Sequence, residues 1–240
     1  MALVTGASRG IGKGIARGMA SEGAAVVISA RGSGPLRQVA AELEKEGAQV
    51  LAVPTDVGDE AQVVALFQQA KARFGRLDVL VNNAGAFDGG PVESLTLEAW
   101  NRVILACLTG AFLCTREAFK IMKPRGAGRI INIGSISAQK PRMHSAPYTA
   151  AKHGIWGLTQ ATALEGREYG IVVSCLHPGN VMVERRQQEN LGGMREDKAE
   201  PMMSVEELAD VAVYMACLPG HVNFLEAIVL PNTQLYVGRG

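Results

Sequence analysis

Short apolar bursts alternate with helix-periodic segments along this sequence, and that alternation narrows the fold more than any single motif does. Leu3-Val4 runs into a glycine-rich turn, after which Ile11, Ile15 and Met19 recur at i, i+4 and i+8, one face of a helix that ends near Gly23. Val26 to Ser29 is a β-branched run. The helix after it has Pro35 near its start and Gly47 just beyond its end, the asymmetry that helices favour. Gln49 to Pro54 and Asp78 to Val81 read as strands flanking a helix over Glu60 to Phe74. A long helix is expected from about Leu97 to Met122, then a strand over Arg129 to Ile133, a helix over Tyr148 to Glu168 and a strand over Ile171 to Leu176. Ser204-x-x-Glu207 is a capping box opening a helix to about Leu218, and Leu225 to Leu230 is the last strand. Strands separated by helices pair in parallel through right-handed crossovers. The expected fold is therefore α/β, a Rossmann-type doubly wound parallel sheet with helices on both faces.

A chain of 240 residues, 48% hydrophobic, can bury a sizeable core, and no repeat or linker interrupts it, so one domain over residues 1–240 is expected. With 24 basic against 23 acidic residues and no long run of one sign, the charge pattern excludes an obvious nucleic-acid or anionic-membrane surface and points to a small-molecule partner. The apolar stretches read as short and broken by Gly, Pro or charge, and Met1 leads into Leu3 without a basic leader, so a cytoplasmic location and no membrane partner are expected. Cys107, Cys114, Cys175 and Cys217 contain no C-x-x-C pair and read as reduced thiols; no metal site is expected.

Chemistry first enters at Thr5-Gly6-Ala7-Ser8-Arg9-Gly10-Ile11-Gly12. Gly6 permits a tight turn, Gly10 a close approach of backbone to a diphosphate, and Gly12 close packing of helix on strand, so the helix can present N–H groups to anionic oxygen. Tyr148 and Lys152 are four apart on a helix and share a face, and an ammonium beside a phenol favours its charged form. Ser135 ends a strand at the edge where such sheets bind ligands, with a hydroxyl suited to polarising a carbonyl.

Gly-x-x-x-Gly-x-Gly, Asn82-Asn83-Ala84-Gly85, Ser135, Tyr148-x-x-x-Lys152 and Pro178-Gly179, in this order, resemble the short-chain dehydrogenase/reductase family over roughly residues 2 to 218. The resemblance implies that Ser135 orients a substrate carbonyl, Tyr148 gives or takes the proton, and Lys152 tunes Tyr148 and binds the nicotinamide ribose. Ser137 competes with Ser135, but only Ser135 has the family's separation from the tyrosine. The implied cofactor set is Gly6, Ser8, Arg9, Gly10, Ile11 and Gly12 at the diphosphate, Arg31 at the ribose, and Asp56 and Val57 at the adenine. It continues through Asn83, Ala84 and Gly85, then Tyr148 and Lys152, and ends with Pro178, Gly179 and Val181 beside the nicotinamide. Ala30 stands where NAD-preferring relatives tend to carry an acid, while Arg31 and Arg9 offer positive charge to a 2′-phosphate, so NADP is favoured, with NAD as the alternative.

Three positions depart from the family pattern. Cys107 stands where an asparagine is usual, in a core-like series with Val103 and Ala111. Val183 stands where a threonine is frequent. Leu230-Pro231-Asn232-Thr233 replaces a glycine-rich tail. A thiol is a weak hydrogen-bonding group that does not replace a carboxamide. Residues 184–203 have the composition of a mobile substrate loop. His144 and His177 lack metal-ligand company and read as structural. The resemblance implies an NADPH-dependent reduction of a carbonyl to an alcohol, or its reverse, in a homodimer or homotetramer. Two alternatives are a 3-oxoacyl thioester reductase and, given Cys107 and Val183, an NADP-binding sensor with impaired catalysis.

Overall fold

The computed structural model describes residues 1–184 and 201–236. Seven parallel strands, β1 (Ala2–Thr5), β2 (Val26–Ala30), β3 (Val50–Pro54), β4 (Val79–Asn82), β5 (Gly128–Ile133), β6 (Ile171–Pro178) and β7 (Glu226–Val229), form one sheet in the order β3-β2-β1-β4-β5-β6-β7. The winding reverses between β1 and β4, and ligands of such sheets bind outside the strand ends at that point.

Alternation along each strand divides the core in two. Val4, Val26, Ile28, Val81 and Ile131 face one layer, built with α1 (Gly10–Ser21), α2 (Ser33–Lys45) and, from the far end of the chain, α7 (Val205–Cys217). Leu3, Val27, Leu80 and Ile130 face the other, against α3 (Glu60–Phe74) and α5 (Gly110–Met122). Both sides of each central strand are therefore dry, which is why these strands read as apolar runs rather than as polar-apolar alternation. α6 (Ala146–Gly166) completes the second layer and packs on α4 (Leu97–Ile104) and β6.

The helix expected from Leu97 to Met122 is interrupted. A π-helical turn at Leu105–Thr109, where the Gly110 N–H bonds the Leu105 carbonyl, separates α4 from α5, and a 3₁₀ turn follows at Lys123–Arg125. Hydrophobic periodicity does not detect the single residue that such a turn inserts. The run Leu97–Arg125 is also, among the described residues, the one long and apolar enough in length and composition to cross a membrane, which the reading of short, broken apolar stretches overlooked. Its apolar residues Val103, Cys107, Leu113, Cys114, Ala118 and Met122 are buried inside the protein, while Leu97, Leu105 and Phe112 are exposed.

Candidate active site

Backbone geometry makes the first half of the site. Gly6 and Gly10 have φ of +66° and +55°, the left-handed region that a side chain disfavours. A Cβ on Gly12 would lie 2.3 Å from Asn83 Nδ2 and 2.5 Å from the Gly6 carbonyl oxygen, so α1 reaches its strand only with glycine there. The turn is stitched to the end of β4. Asn83 Nδ2 donates to the carbonyls of Thr5 (2.9 Å) and Gly6 (3.2 Å), and Thr5 Oγ1 accepts the N–H groups of Asn83 and Ala84, each at 3.0 Å. The residues read as a sheet-stabilising turn thus set the shape of the glycine turn.

The N-cap of α1, Arg9, supplies no side-chain cap and its first turn holds no acidic residue, as is also true of α2 and α6, whereas α3, α4 and α7 are capped by Asp59, Thr96 and Ser204. Free N–H groups and the positive end of the helix dipole attract negative charge. The protein supplies one itself: Glu184 Oε1 accepts the Gly10 N–H at 3.2 Å, and Val183 lies beside Gly10. The motif did not announce this carboxylate. Of the expected loop 184–203, residues 185–200 lie outside the described structure, while Val181 and Met203 form a parallel bridge at its two ends.

Beyond the ends of β2 and β3, Arg31, Asp56, Gly58, Arg102, Leu105 and Ala106 are among the residues lining a cleft of about 330 Å³. Arg31 and Asp56, 25 positions apart in sequence, meet here because β2 and β3 end side by side. Val57 does not open on the cleft with its side chain, which is buried against Gly110; any part it plays at a nucleotide belongs to its backbone.

The other half is made by side chains. Ser135 follows β5 in extended conformation (φ −172°, ψ 156°) and is 9% exposed; its Oγ accepts the Ser137 N–H at 3.1 Å. Ser137 belongs to the 3₁₀ turn Ile136–Ala138. Lys152 is buried. Its Nζ donates to the Ile133 carbonyl at 2.7 Å and lies 5.5 Å from the centre of the Tyr148 ring. Tyr148, Lys152 and the end of β5 are therefore one cluster. Phe87, on the loop after β4, meets Tyr148 edge-on with ring centres 5.4 Å apart, a neighbour that sequence spacing had not marked.

A buried polar ladder holds α6 against the sheet. Asn82 and Asn132 are register partners on β4 and β5, and Asn82 Nδ2 donates to Asn132 Oδ1 (2.8 Å) and Thr115 Oγ1 (3.0 Å). Asn132 Nδ2 in turn donates to Thr159 Oγ1 on α6 at 2.9 Å. Each buried polar group that loses its partner costs about 1–3 kcal/mol, so this chain fixes α6, and with it Tyr148 and Lys152, in one position.

Cys107 sits within the π turn, 2% exposed, packed with Val103 and Ala151. It is more than packing: its thiol lies 3.3 Å from both the N–H and the carbonyl of Ala86, accepting from one and donating to the other. Besides packing in the core as expected, this thiol ties the helix to the loop after β4 through both of the bonding capacities a thiol has.

The Pro178-Gly179-Asn180-Val181 segment leaves β6 with Pro178, Asn180 and Val181 buried. The Asn180 N–H donates to Gln234 Oε1 at 2.8 Å and Arg142 donates to Asn180 Oδ1 at 2.9 Å, so the tail after β7 closes over this segment. His144 takes φ +60°, and its carbonyl accepts the Gly90 N–H at 3.0 Å, joining the loop after β4 to the segment before α6. No group of three or more His, Cys, Asp or Glu that could hold a metal occurs among the described residues.

The profile of the short chain dehydrogenase family matches residues 1–192. The chain is 39% identical over 210 residues to the 3-oxoacyl-[acyl-carrier-protein] reductase of Synechocystis sp., covering 87% of this chain and 82% of that relative. Among solved structures, a tryptophan variant of the actinorhodin polyketide ketoreductase with NADPH superposes with a TM-score of 0.89 at 34% identity, covering 98% of this chain and 97% of that one. A metagenomic short-chain oxidoreductase in complex with NADP gives a TM-score of 0.84 at 32% identity, covering 97% of each chain.

Proposed function

Because the chain belongs to the short-chain dehydrogenase family, we propose that it is an NADPH-dependent reductase of a carbonyl group, or the corresponding alcohol dehydrogenase, with Ser135, Tyr148 and Lys152 as its catalytic residues. The observation that carries this reading is the meeting of Lys152 and Tyr148 at the end of the strand that leads into Ser135.

The residues present fit a dinucleotide. Two left-handed glycines and a helix start already holding a carboxylate suit a diphosphate, and Asn83, Ala84 and Gly85 shape that turn. The exposed Arg31, with Ala30 before it, suits a 2′-phosphate, so the cofactor is NADP(H), with NAD the weaker partner. When bound, the nicotinamide supplies or accepts the hydride at the substrate carbon.

The chain's own residues handle the proton. Ser135 Oγ already accepts from the Ser137 N–H, which leaves its hydroxyl proton for a substrate carbonyl oxygen. Tyr148 gives its phenolic proton to that oxygen as the alcohol forms, and takes it back in the reverse direction. Lys152 stabilises the phenolate left behind, and its bond to the Ile133 carbonyl keeps it in place.

Similarity to ketoacyl reductases favours a 3-oxoacyl thioester as substrate. The test is absorbance-followed NADPH oxidation against 3-oxoacyl thioesters, ketones, diketones and quinones. Turnover that disappears in Tyr148→Phe supports the reading; NADPH binding without turnover on any of these replaces it with a sensor. Exposed apolar residues at Leu105 and Phe112, and at Tyr214, Phe224 and Ile228, support a homodimer or homotetramer, which sedimentation at micromolar concentration tests; we take the location to be cytoplasmic.

A further inference from the structure

Ser135 is held by a residue outside the catalytic set. His177, the residue before Pro178 in β6, is fully buried, and its Nδ1 lies 3.2 Å from the Ser135 amide nitrogen and 2.9 Å from the Ser135 carbonyl oxygen. The ring fills the space beside Gly134, where a Cβ would stand 2.5 Å from Nδ1, and Trp156 of α6 closes it edge-on with ring centres 5.9 Å apart. On its other edge Nε2 faces the Glu226 carboxylate of β7, with Oε1 at 3.4 Å, and has no closer partner among the described residues. The same Oε1 accepts from Gln139 Nε2 at 2.8 Å, and Gln139 Oε1 accepts from the Tyr236 hydroxyl.

A neutral imidazole carries one N–H. With the proton on Nε2, the Nδ1 lone pair accepts the Ser135 amide, at the cost of facing the Ser135 carbonyl oxygen 2.9 Å away, and Nε2 makes no hydrogen bond to the carboxylate. With the proton on Nδ1, the ring donates to that carbonyl and the buried Ser135 amide loses this acceptor. The need of the buried amide for an acceptor favours the Nε2–H form. We propose that His177 is a positioning residue that holds the Ser135 backbone, and so its hydroxyl, in the productive place. This rests on the reading of Ser135 as the group that orients the carbonyl.

A second proton would reverse the hold, because Nδ1 becomes a donor to the Ser135 carbonyl and abandons the amide. Burial acts most strongly and lowers the ring's pKa below the ordinary histidine value; of the groups facing the ring, the Ser135 carbonyl and Glu226 from β7 favour its charge and Lys152 from α6 opposes it. Activity should thus fall on the acid side, as pH drops through this lowered value.

The experiment uses the full chain with NADPH and acetoacetyl-coenzyme A, each variant first checked for wild-type thermal denaturation, together with nitrogen-15 NMR of labelled histidine, which needs no substrate. The wild type should show His177 protonated on Nε2 at neutral pH. His177→Leu should lose about tenfold or more in kcat, with KM for NADPH within about twofold, as expected for one unmade bond to a buried amide. His177→Asn, which keeps an acceptor near Nδ1 but does not titrate, should recover most of kcat and lose the acid limb. Glu226→Gln should move that limb to lower pH. An Nδ1–H ring in the wild type overturns the inference. So does a His177→Leu variant with unchanged kcat and pH profile alongside an inactive Ser135→Ala. Turnover retained in Ser135→Ala overturns the reading of Ser135 itself, and the inference with it.

Discussion

The two halves of the candidate site are built in opposite ways. At β1 the site is backbone: glycines with positive φ, a helix start without a side-chain cap, and carbonyls tied down by Asn83. At β5 it is side chain: Ser135, Tyr148 and Lys152, each placed by partners on β6, α6 and the strand end. A backbone site tolerates almost any side chain that points away but no added Cβ. A side-chain site tolerates conservative changes of shape but not the loss of one polar atom. On the proposed reading, the first holds a diphosphate and the second decides what reacts.

Four substitutions test that division, taken from the largest effect to the smallest. Tyr148→Phe should cut turnover by about 10²–10⁴-fold, the usual worth of a positioned acid or base, with NADPH affinity within about threefold by fluorescence titration. A matching loss of binding would mean that the two ends are one site. Gly12→Ala strikes the opposite end. Its new methyl meets Asn83 and the Gly6 carbonyl, costing about 1–3 kcal/mol by thermal or denaturant unfolding and weakening binding together with stability. If the variant were as stable and as tight as the wild type, the glycine turn would not be under steric control.

Arg31→Ala should weaken NADPH binding by about 10–100-fold, as for a lost charge-assisted hydrogen bond, and leave NADH unchanged. Equal loss for both would remove the 2′-phosphate from the argument. Glu184→Gln should tighten NADPH binding by about two- to fivefold, the scale of one charge at a helix N-terminus, because the diphosphate no longer displaces a carboxylate from Gly10. Weaker binding would show that Glu184 aids the cofactor rather than competing with it.

Much of this was legible in the residues. The glycine spacing, the Tyr148–Lys152 interval and the strand ending before Ser135 are local patterns, and the helical period survives into the structure, as in the helix over Glu60–Phe74. What was not legible depends on parts of the chain far apart. Gln139, on the turn after Ser135, reaches Glu226 only because β7 pairs with β6, and the same pairing, Cys175 to Glu226 and His177 to Ile228, puts the carboxylate by the His177 ring. The Cys107 thiol finds Ala86 through a π turn that leaves no mark in hydrophobic periodicity. Phe87 met Tyr148 through a loop, where no such period applies.

The stitch between Thr5 and Asn83 also carries a message about how the protein comes into being. β1 occupies the first few residues, yet one of its two neighbours, β4, begins at Val79, after three helices have intervened. Closing that pair requires a long excursion of chain to be ordered first, the kind of non-local pairing that slows folding. Until it closes, Gly6 has no Asn83 to brace it, and on the proposed reading of this turn nucleotide binding waits for that closure. Acquisition of cofactor would then mark a late folding event, and excess NADPH present during refolding would stabilise the finished state without hastening the slow step.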